Sequence, residues 1–267
     1  MVTLASCSLY TFYLYIAISL TYIFALYMRI GPEILIVMPV YNEEASVRKV
    51  VIEWFSEVEN WTENFIFLAV DDGSIDETPR VLNLLQQKLG ARLEILRREN
   101  RGHGQTCLHG YRIAVERGIP YVFQIDSDGQ CDPQYFFRFW RKRVNYDVVY
   151  GRRVRREDGW RRVVASMVLR ISLLSVFRVN CIDANVPYRL MRTSILNAVL
   201  DRIPADFFLA NVSLAVLLRS NSKIRESNVP IVFRERYGGE PSVRISKFGE
   251  KALQLFRQLC KLRDSRY

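Results

Sequence analysis

Histidine is nearly absent from this chain. His103 and His109 are the only two in 267 residues, too few for a histidine-built metal site unless carboxylates take part. The five cysteines, Cys7, Cys107, Cys131, Cys181 and Cys260, form no Cys-x-x-Cys pair. That scatter suggests neither a zinc site nor a disulfide framework, and a reducing compartment is the simpler expectation. No internal repeat, low-complexity linker or second-domain boundary is visible. Charge is missing from one stretch above all: residues 1–28 hold no Asp, Glu, Lys or Arg. Over the whole chain the acidic residues fall short, 28 against 38 lysines and arginines, leaving a net charge of +10. Such a balance favours an anionic partner: a phosphorylated substrate, anionic lipid or nucleic acid.

From Leu9 to Met28 the uncharged stretch is almost wholly apolar and aromatic. A run of that length spans a hydrocarbon core of about 30 Å. Tyr10, Tyr13, Tyr22 and Tyr27 suit the interfacial belts. The expectation is a membrane anchor over residues 1–29, with residues 30–267 forming one catalytic domain. A buried helix of the domain, or an upstream extension of the reading frame, is the alternative. A cleaved signal peptide fits less well, because the stretch has no positive n-region. Arg29 and the basic remainder follow the anchor, so the positive-inside rule puts the domain in the cytoplasm, associated with the membrane.

The rest alternates. Apolar runs at Ile34–Val40, Phe65–Val70, Leu93–Leu96 and Tyr121–Ile125 read as buried strands. Helical patterns separate them, at about 45–58, after Pro79, and at 105–117. Strands alternating with helices mean βαβ units, hence an α/β fold with a mostly parallel sheet flanked by helices. Further strands are expected at 147–150, 188–191 and 230–236, and helices at 163–177, 207–218 and 243–262. Each of the first four strands runs into a polar loop, and in a parallel sheet those loops share one edge, where ligands bind. Asp126-Ser127-Asp128 closes the fourth strand. Two carboxylates so close repel each other and call for a cation, and Mg2+ or Mn2+ takes oxygen ligands while leaving sites for substrate phosphates. Alone, an Asp-x-Asp string is more often a surface turn.

It is not alone. Pro39-Val40-Tyr41-Asn42-Glu43, Asp71-Asp72-Gly73-Ser74, Asn100-Arg101-Gly102-His103-Gly104 and Asp126-Ser127-Asp128-Gly129-Gln130 follow one another at successive strand ends. In order and spacing this set resembles the family 2 inverting glycosyltransferases of the GT-A, Rossmann-like fold, over about residues 34–256. Within the family it looks closest to the dolichyl-phosphate mannosyltransferase and polyprenyl-phosphate glycosyltransferase branch. That likeness rests on the arginines after Gly151, on Asp183 leading to Tyr188-Arg189, and on Arg236-Tyr237-Gly238-Gly239-Glu240-Pro241-Ser242.

The resemblance implies roles. Asp126 and Asp128 would hold a divalent metal, Mg2+ or Mn2+, with Gln130 as a third ligand. Family members often have an apolar residue where Gly129 sits here. Asp71 and Asp72, with Pro39, Tyr41 and Glu43, fall on the donor's base and ribose segment; strand termination and packing are the plainer reading of Pro39 and Tyr41. Asn100, Gly102 and Gly104 match the glycine loop near the sugar, and Asp126 also belongs to the donor site. His103 and His109 are expected as a loop and a helix residue, not metal ligands. Arg152, Arg153, Arg189, Arg236 and Ser242 are the acceptor-side candidates, because arginine forks suit phosphate. Asp183 is either a base for a hydroxyl acceptor or the ion-pair partner that orients Arg189. The 163–177 helix, in an acceptor segment of about residues 151–178, has the length and polarity to lie along a membrane interface.

The implied activity is transfer of a sugar from a GDP- or UDP-sugar to a polyprenyl or dolichyl phosphate at the membrane. A hydroxyl acceptor on a glycan or lipid is the nearest alternative. A nucleic-acid or membrane binding module without catalysis has no use for carboxylates at successive strand ends, since acidic edges oppose anion binding. A glycoside hydrolase would need two carboxylates flanking a sugar bond rather than beside a cation.

Overall fold

The structure, a computed structural model, describes residues 31–154, 160–181, 183–204, 207, 209–238 and 248–264. The expected membrane anchor lies outside these residues. Among them, no helix is long and apolar enough to cross a membrane.

Four parallel strands make the first half. β1 (Ile34–Val40) pairs with β2 (Phe65–Asp71) on one side and β4 (Tyr121–Gln124) on the other, and β2 pairs with β3 (Leu93–Arg97). Every residue of β1 is buried, as expected for a strand covered on both faces. Helices α1 (Val47–Glu59), α2 (Thr78–Leu89) and α3 (His103–Glu116) supply the crossovers. α1 buries Val47, Val50, Val51, Trp54 and Val58, the i, i+3, i+4 stripe that a sheet-packed helix needs. Pro79 sits in the first turn of α2, where its missing N–H costs nothing. α3 lies so close on β1 that a Cβ on Gly110 would meet Val37 Cγ1 at 2.4 Å.

The second half breaks the parallel pattern. β6 (Arg189–Arg192) runs antiparallel between β4 and β5 (Val148–Arg153), and β7 (Glu226–Ile231) runs parallel to β5. The seven strands lie in the order β3-β2-β1-β4-β6-β5-β7. Strand order reverses at β1, so a crevice opens outside the carboxyl ends of β1 and β4, the place where open α/β sheets bind ligands. Beneath it lies an aromatic core. Trp54 and Tyr188 pack on Phe123 at centroid distances of 5.6 and 5.2 Å, and Phe136 and Phe139 complete the group.

The last strand starts four residues and ends five residues earlier than the stretch expected to form it. β7 ends at Ile231, because its partner β5 ends at Arg153 opposite. The following residues leave the sheet and cross to the β4 loop. The remaining helices are α4 (Phe136–Lys142), α5 (Trp160–Phe177), α6 (Thr193–Leu200), α7 (Ala210–Arg219) and α8 (Phe248–Asp264). α7 is buried from Ala210 to Leu218, including the polar Asn211 and Ser213.

Asp147 ties the second half together. Its carboxylate accepts hydrogen bonds from Arg225 N at 3.0 Å and Arg225 Nη2 at 3.0 Å, and Arg192 Nε lies 3.3 Å away. The Arg225 hydrogen bonds are the main reason its pKa lies below the ordinary carboxylate value. A depressed folded-state pKa stabilises above the unfolded value of about 3.9, and that contribution is lost as pH falls through the folded value. Asp147→Asn is therefore expected to lower the urea midpoint at pH 7, with the gap to wild type closing below about pH 4. Equal midpoints at pH 7 would contradict this role.

Candidate active site

The polar loops meet at the crevice as the topology requires. Asp71 closes β2 and is fully buried. Its Oδ1 accepts Ser74 N at 2.9 Å, while its buried Oδ2 accepts no hydrogen bond and has Arg97 Nε at 3.5 Å. Asp72 is different. Its two oxygens accept Arg101 N at 3.0 Å and Gly102 N at 2.8 Å. This carboxylate shapes the glycine loop and presents no open oxygen to a donor. Gly102 has φ of +86° with open space around it, a conformation glycine adopts without strain. Gly104 serves packing instead of ligand approach, since a Cβ there would meet Ala210 Cβ at 2.9 Å. Asn100 is exposed at the loop's start.

At the end of β1, Pro39 is buried in the strand and Tyr41 is exposed. Buried Glu43 accepts Ser46 Oγ at 2.6 Å and pairs with Arg236 Nη2. Burial raises the Glu43 pKa, partly offset by the Ser46 hydroxyl and the Arg236 charge.

The β4 loop holds the carboxylate pair. Asp126 Oδ1 is buried and accepts no hydrogen bond; its nearest cationic neighbour is His103 Nε2 at 3.7 Å. Asp128 Oδ1 accepts Gln130 N at 3.0 Å, and its Oδ2 has Arg236 Nη1 at 3.9 Å. Burial, and then the Asp126 charge, push the Asp128 pKa up. An unpartnered buried carboxylate oxygen beside a second carboxylate is costly unless a cation joins them. Among the described residues no three His, Cys, Asp or Glu side chains cluster to hold a metal. A cation here would thus draw its other ligands from Gln130, water and substrate phosphates, the habit of Mg2+ and of similar hard ions. The donor set fits such an ion.

His103 was expected as an ordinary loop residue. It opens α3 at the crevice, between Asp126 and Cys107, whose Sγ lies 3.6 Å from Nε2. Burial disfavours its charged form, but Cys107 and Asp126 outweigh that and hold its pKa above the usual value. His109 lies away from the carboxylates, on the α3 face towards Arg98 Nη1 at 3.0 Å.

On the acceptor side two expectations change. Asp183 does not orient Arg189. Its carboxylate is gripped by both nitrogens of the Arg153 fork, at 2.8 and 2.7 Å. Arg189 does not face the crevice at all. It is fully buried, and its guanidinium donates to the carbonyls of Val186, Ala184 and Asn211. Its place in β6, an inner strand, makes it a brace for the 184–186 turn and α7 rather than a phosphate ligand. Arg152 is exposed at the end of β5, and Arg236 reaches Glu43 and Asp128. Ser242 lies outside the described residues.

The 232–238 segment, most of it expected to be strand, lies outside the sheet. Arg234 N donates to Gln130 O and Tyr237 N to Asp128 O, each at 3.0 Å. The segment thereby pairs with the carboxylate loop along its backbone. Arg236, Tyr237 and Gly238 were named beforehand as part of the family-like motif, and of these only Arg236 was given a role.

A mostly parallel sheet reversing at β1, with carboxylates at the ends of β2 and β4, is the architecture of the GT-A fold. The chain belongs to glycosyl transferase family 2, whose profile matches residues 35–200, more than half of its length. It is 29% identical over 167 residues to the undecaprenyl-phosphate 4-deoxy-4-formamido-L-arabinose transferase of Aeromonas hydrophila subsp. hydrophila, covering 62% of this chain and 50% of that protein. The protein of the same name from Edwardsiella ictaluri is 26% identical over 216 residues, covering 80% of this chain and 62% of its own. The chain thus spans half to under two thirds of the length of these two relatives. Among solved structures, Mycobacterium tuberculosis glucosyl-3-phosphoglycerate synthase with phosphoglyceric acid matches at a TM-score of 0.64 and 17% identity, over 88% of this chain and 81% of that one. The same synthase with Mn2+, UDP-glucose and phosphoglyceric acid gives 0.61 at 16% identity, over 88% and 80%. These structures share the fold.

The Asp72 bridge carries a prediction. Asp72→Ala leaves two loop amides without their acceptor, and is expected to lower stability by about 1–3 kcal/mol. Hydrogen exchange should quicken at Arg101 and Gly102 in particular. Unchanged exchange at those two amides would sink the assignment.

Proposed function

We propose that this chain transfers a sugar from a nucleotide-diphosphate donor to a polyprenyl or dolichyl phosphate, with Mg2+ or Mn2+, at the cytoplasmic face of a membrane. The observation that carries the reading is the open, buried oxygen of Asp126 beside Asp128 at the sheet's reversal. When bound, the metal would neutralise charge growing on the departing diphosphate. Asp126, Asp128 and Gln130 are the residues to hold it.

The donor base meets Asp71. Its one open oxygen lies beside the Arg97 guanidinium, an acceptor next to a donor. That pattern suits uracil, whose ring N–H is flanked by carbonyls. Guanine offers two adjacent donors, and the second Asp71 oxygen is already taken by Ser74 N. A uridine donor is favoured over a guanosine donor.

An acceptor phosphate oxygen attacks the anomeric carbon as the bond to the diphosphate breaks, with inversion. The phosphate is already anionic, so no base is needed. Asp183 supports this choice over a hydroxyl acceptor, because Arg153 engages both of its oxygens. The undecaprenyl-phosphate transferases among the relatives point the same way. Arg152, Arg153 and Arg236 are the groups to position the phosphate.

A lipid acceptor also needs a membrane-facing surface. On α5, Met167, Val168, Ile171 and Leu174 are exposed together, and Leu253 and Phe256 are exposed on the neighbouring α8. A helix whose apolar stripe meets solvent suits a lipid interface. Residues 1–29 remain the proposed anchor.

Turnover of a UDP-sugar with a short polyprenyl phosphate and Mn2+ tests the proposal. The expected product is an acid-labile glycosyl phosphate, and Asp128→Asn is expected to lose about 100-fold or more in turnover while keeping its fold. An acid-stable glycoside would support the hydroxyl alternative, and undiminished turnover in Asp128→Asn would overturn the metal assignment.

A further inference from the structure

Gly129 lies between the two ends of the metal loop, with φ of +82°. A Cβ there would stand 2.3 Å from Tyr237 Cδ2 and 2.7 Å from Cε2 and Cγ. The Tyr237 ring therefore occupies the space that a side chain at position 129 would fill. Four further contacts hold Tyr237 in place. Its backbone N–H donates to Asp128 O at 3.0 Å. Its hydroxyl accepts Arg234 Nη1 at 2.8 Å and donates to Glu53 Oε2 at 3.0 Å. Lys49 Nζ sits 3.8 Å above its ring centroid. Lys49 and Glu53 belong to α1, which packs on the core. Arg234 also pairs with Asp132, just past the loop. A rigid helix is thus linked through one aromatic ring to the carboxylate loop.

We propose that Tyr237 is the positioning residue of the metal loop: its ring, seated on Gly129, fixes the spacing of Asp126 and Asp128 and so sets their affinity for a divalent cation. This rests on the reading of those two aspartates as the cation clamp. Gly129 and Tyr237 form a matched pair, in which a smaller residue in the loop is complemented by a larger one from the far end of the chain. Groups that orient metal-binding carboxylates without touching the ion typically control affinity by about 10–100-fold.

The test is Mn2+ binding to the full chain in the presence of UDP, read from the electron paramagnetic resonance signal of the free ion. Asp128→Asn is the control for the clamp itself: if it binds Mn2+ as wild type does, the clamp reading has failed, and this proposal falls with it. With binding lost in Asp128→Asn, Tyr237→Ala is expected to weaken Mn2+ binding about tenfold or more. Tyr237→Phe, which keeps the ring, is expected to stay within about threefold of wild type. Wild-type affinity in Tyr237→Ala, or a Phe variant as weak as the Ala variant, would overturn the proposal. Should Tyr237→Ala fail to fold, Tyr237→Leu replaces it, with the same expected and overturning results.

Discussion

The structure depends on a repulsion that the fold does not relieve by itself. Asp126 and Asp128 lie one residue apart at the end of β4, partly buried, and one Asp126 oxygen has no hydrogen-bond partner. Two such charges stay ionised together only where cations and N–H groups face them. Much of the surrounding architecture supplies these. The Gln130 amide and the Arg236 guanidinium address Asp128, and His103 stands off Asp126. The 232–238 segment leaves the sheet and lays its backbone along the same loop. The carboxylate pair is faced by its own loop and by two distant parts of the chain, the start of α3 and the 232–238 segment, while one buried Asp126 oxygen accepts no hydrogen bond.

Glycosyl transfer asks for that compromise. The diphosphate of a nucleotide-sugar brings its own negative charge, and only a cation lets it approach carboxylates. On the proposed reading, the buried oxygen that is costly without a partner would serve as a ligand to a divalent cation. The proposed acceptor side is richer in arginine: Arg152 is exposed, and the carboxylate of buried Asp183 is engaged by Arg153. Positive charge on that side suits an acceptor that arrives as an anion. Arg189 takes no part in that surface and bonds instead to three backbone carbonyls in the core.

The parallel half of the sheet was legible because its signals are local. Each apolar run of β1 to β4 ends in a polar loop, and parallel pairing alone brings those loops to one edge. The aspartates at 71, 126 and 128 could be named from that pattern. What was not legible depends on contacts distant in sequence. Nothing local shows that Arg189 lies in an inner antiparallel strand, so an arginine beside a tyrosine read as a phosphate ligand. Asp183 could be recognised as a charge, but its partner Arg153 comes from another strand. The end of β7 was misplaced because the apolar pattern continues past Ile231, whereas the pairing with β5 stops there. Glycine at 129 looked like a departure from the family and is explained only by the Tyr237 ring that covers it.

The most direct measurement of the central claim is a crystal structure of the protein with Mn2+ and UDP, with the metal located by its anomalous signal. The account predicts one peak coordinated by carboxylate oxygens of Asp126 and Asp128. A metal bound elsewhere, or a diphosphate seated in the crevice with these two aspartates uncoordinated, would contradict it.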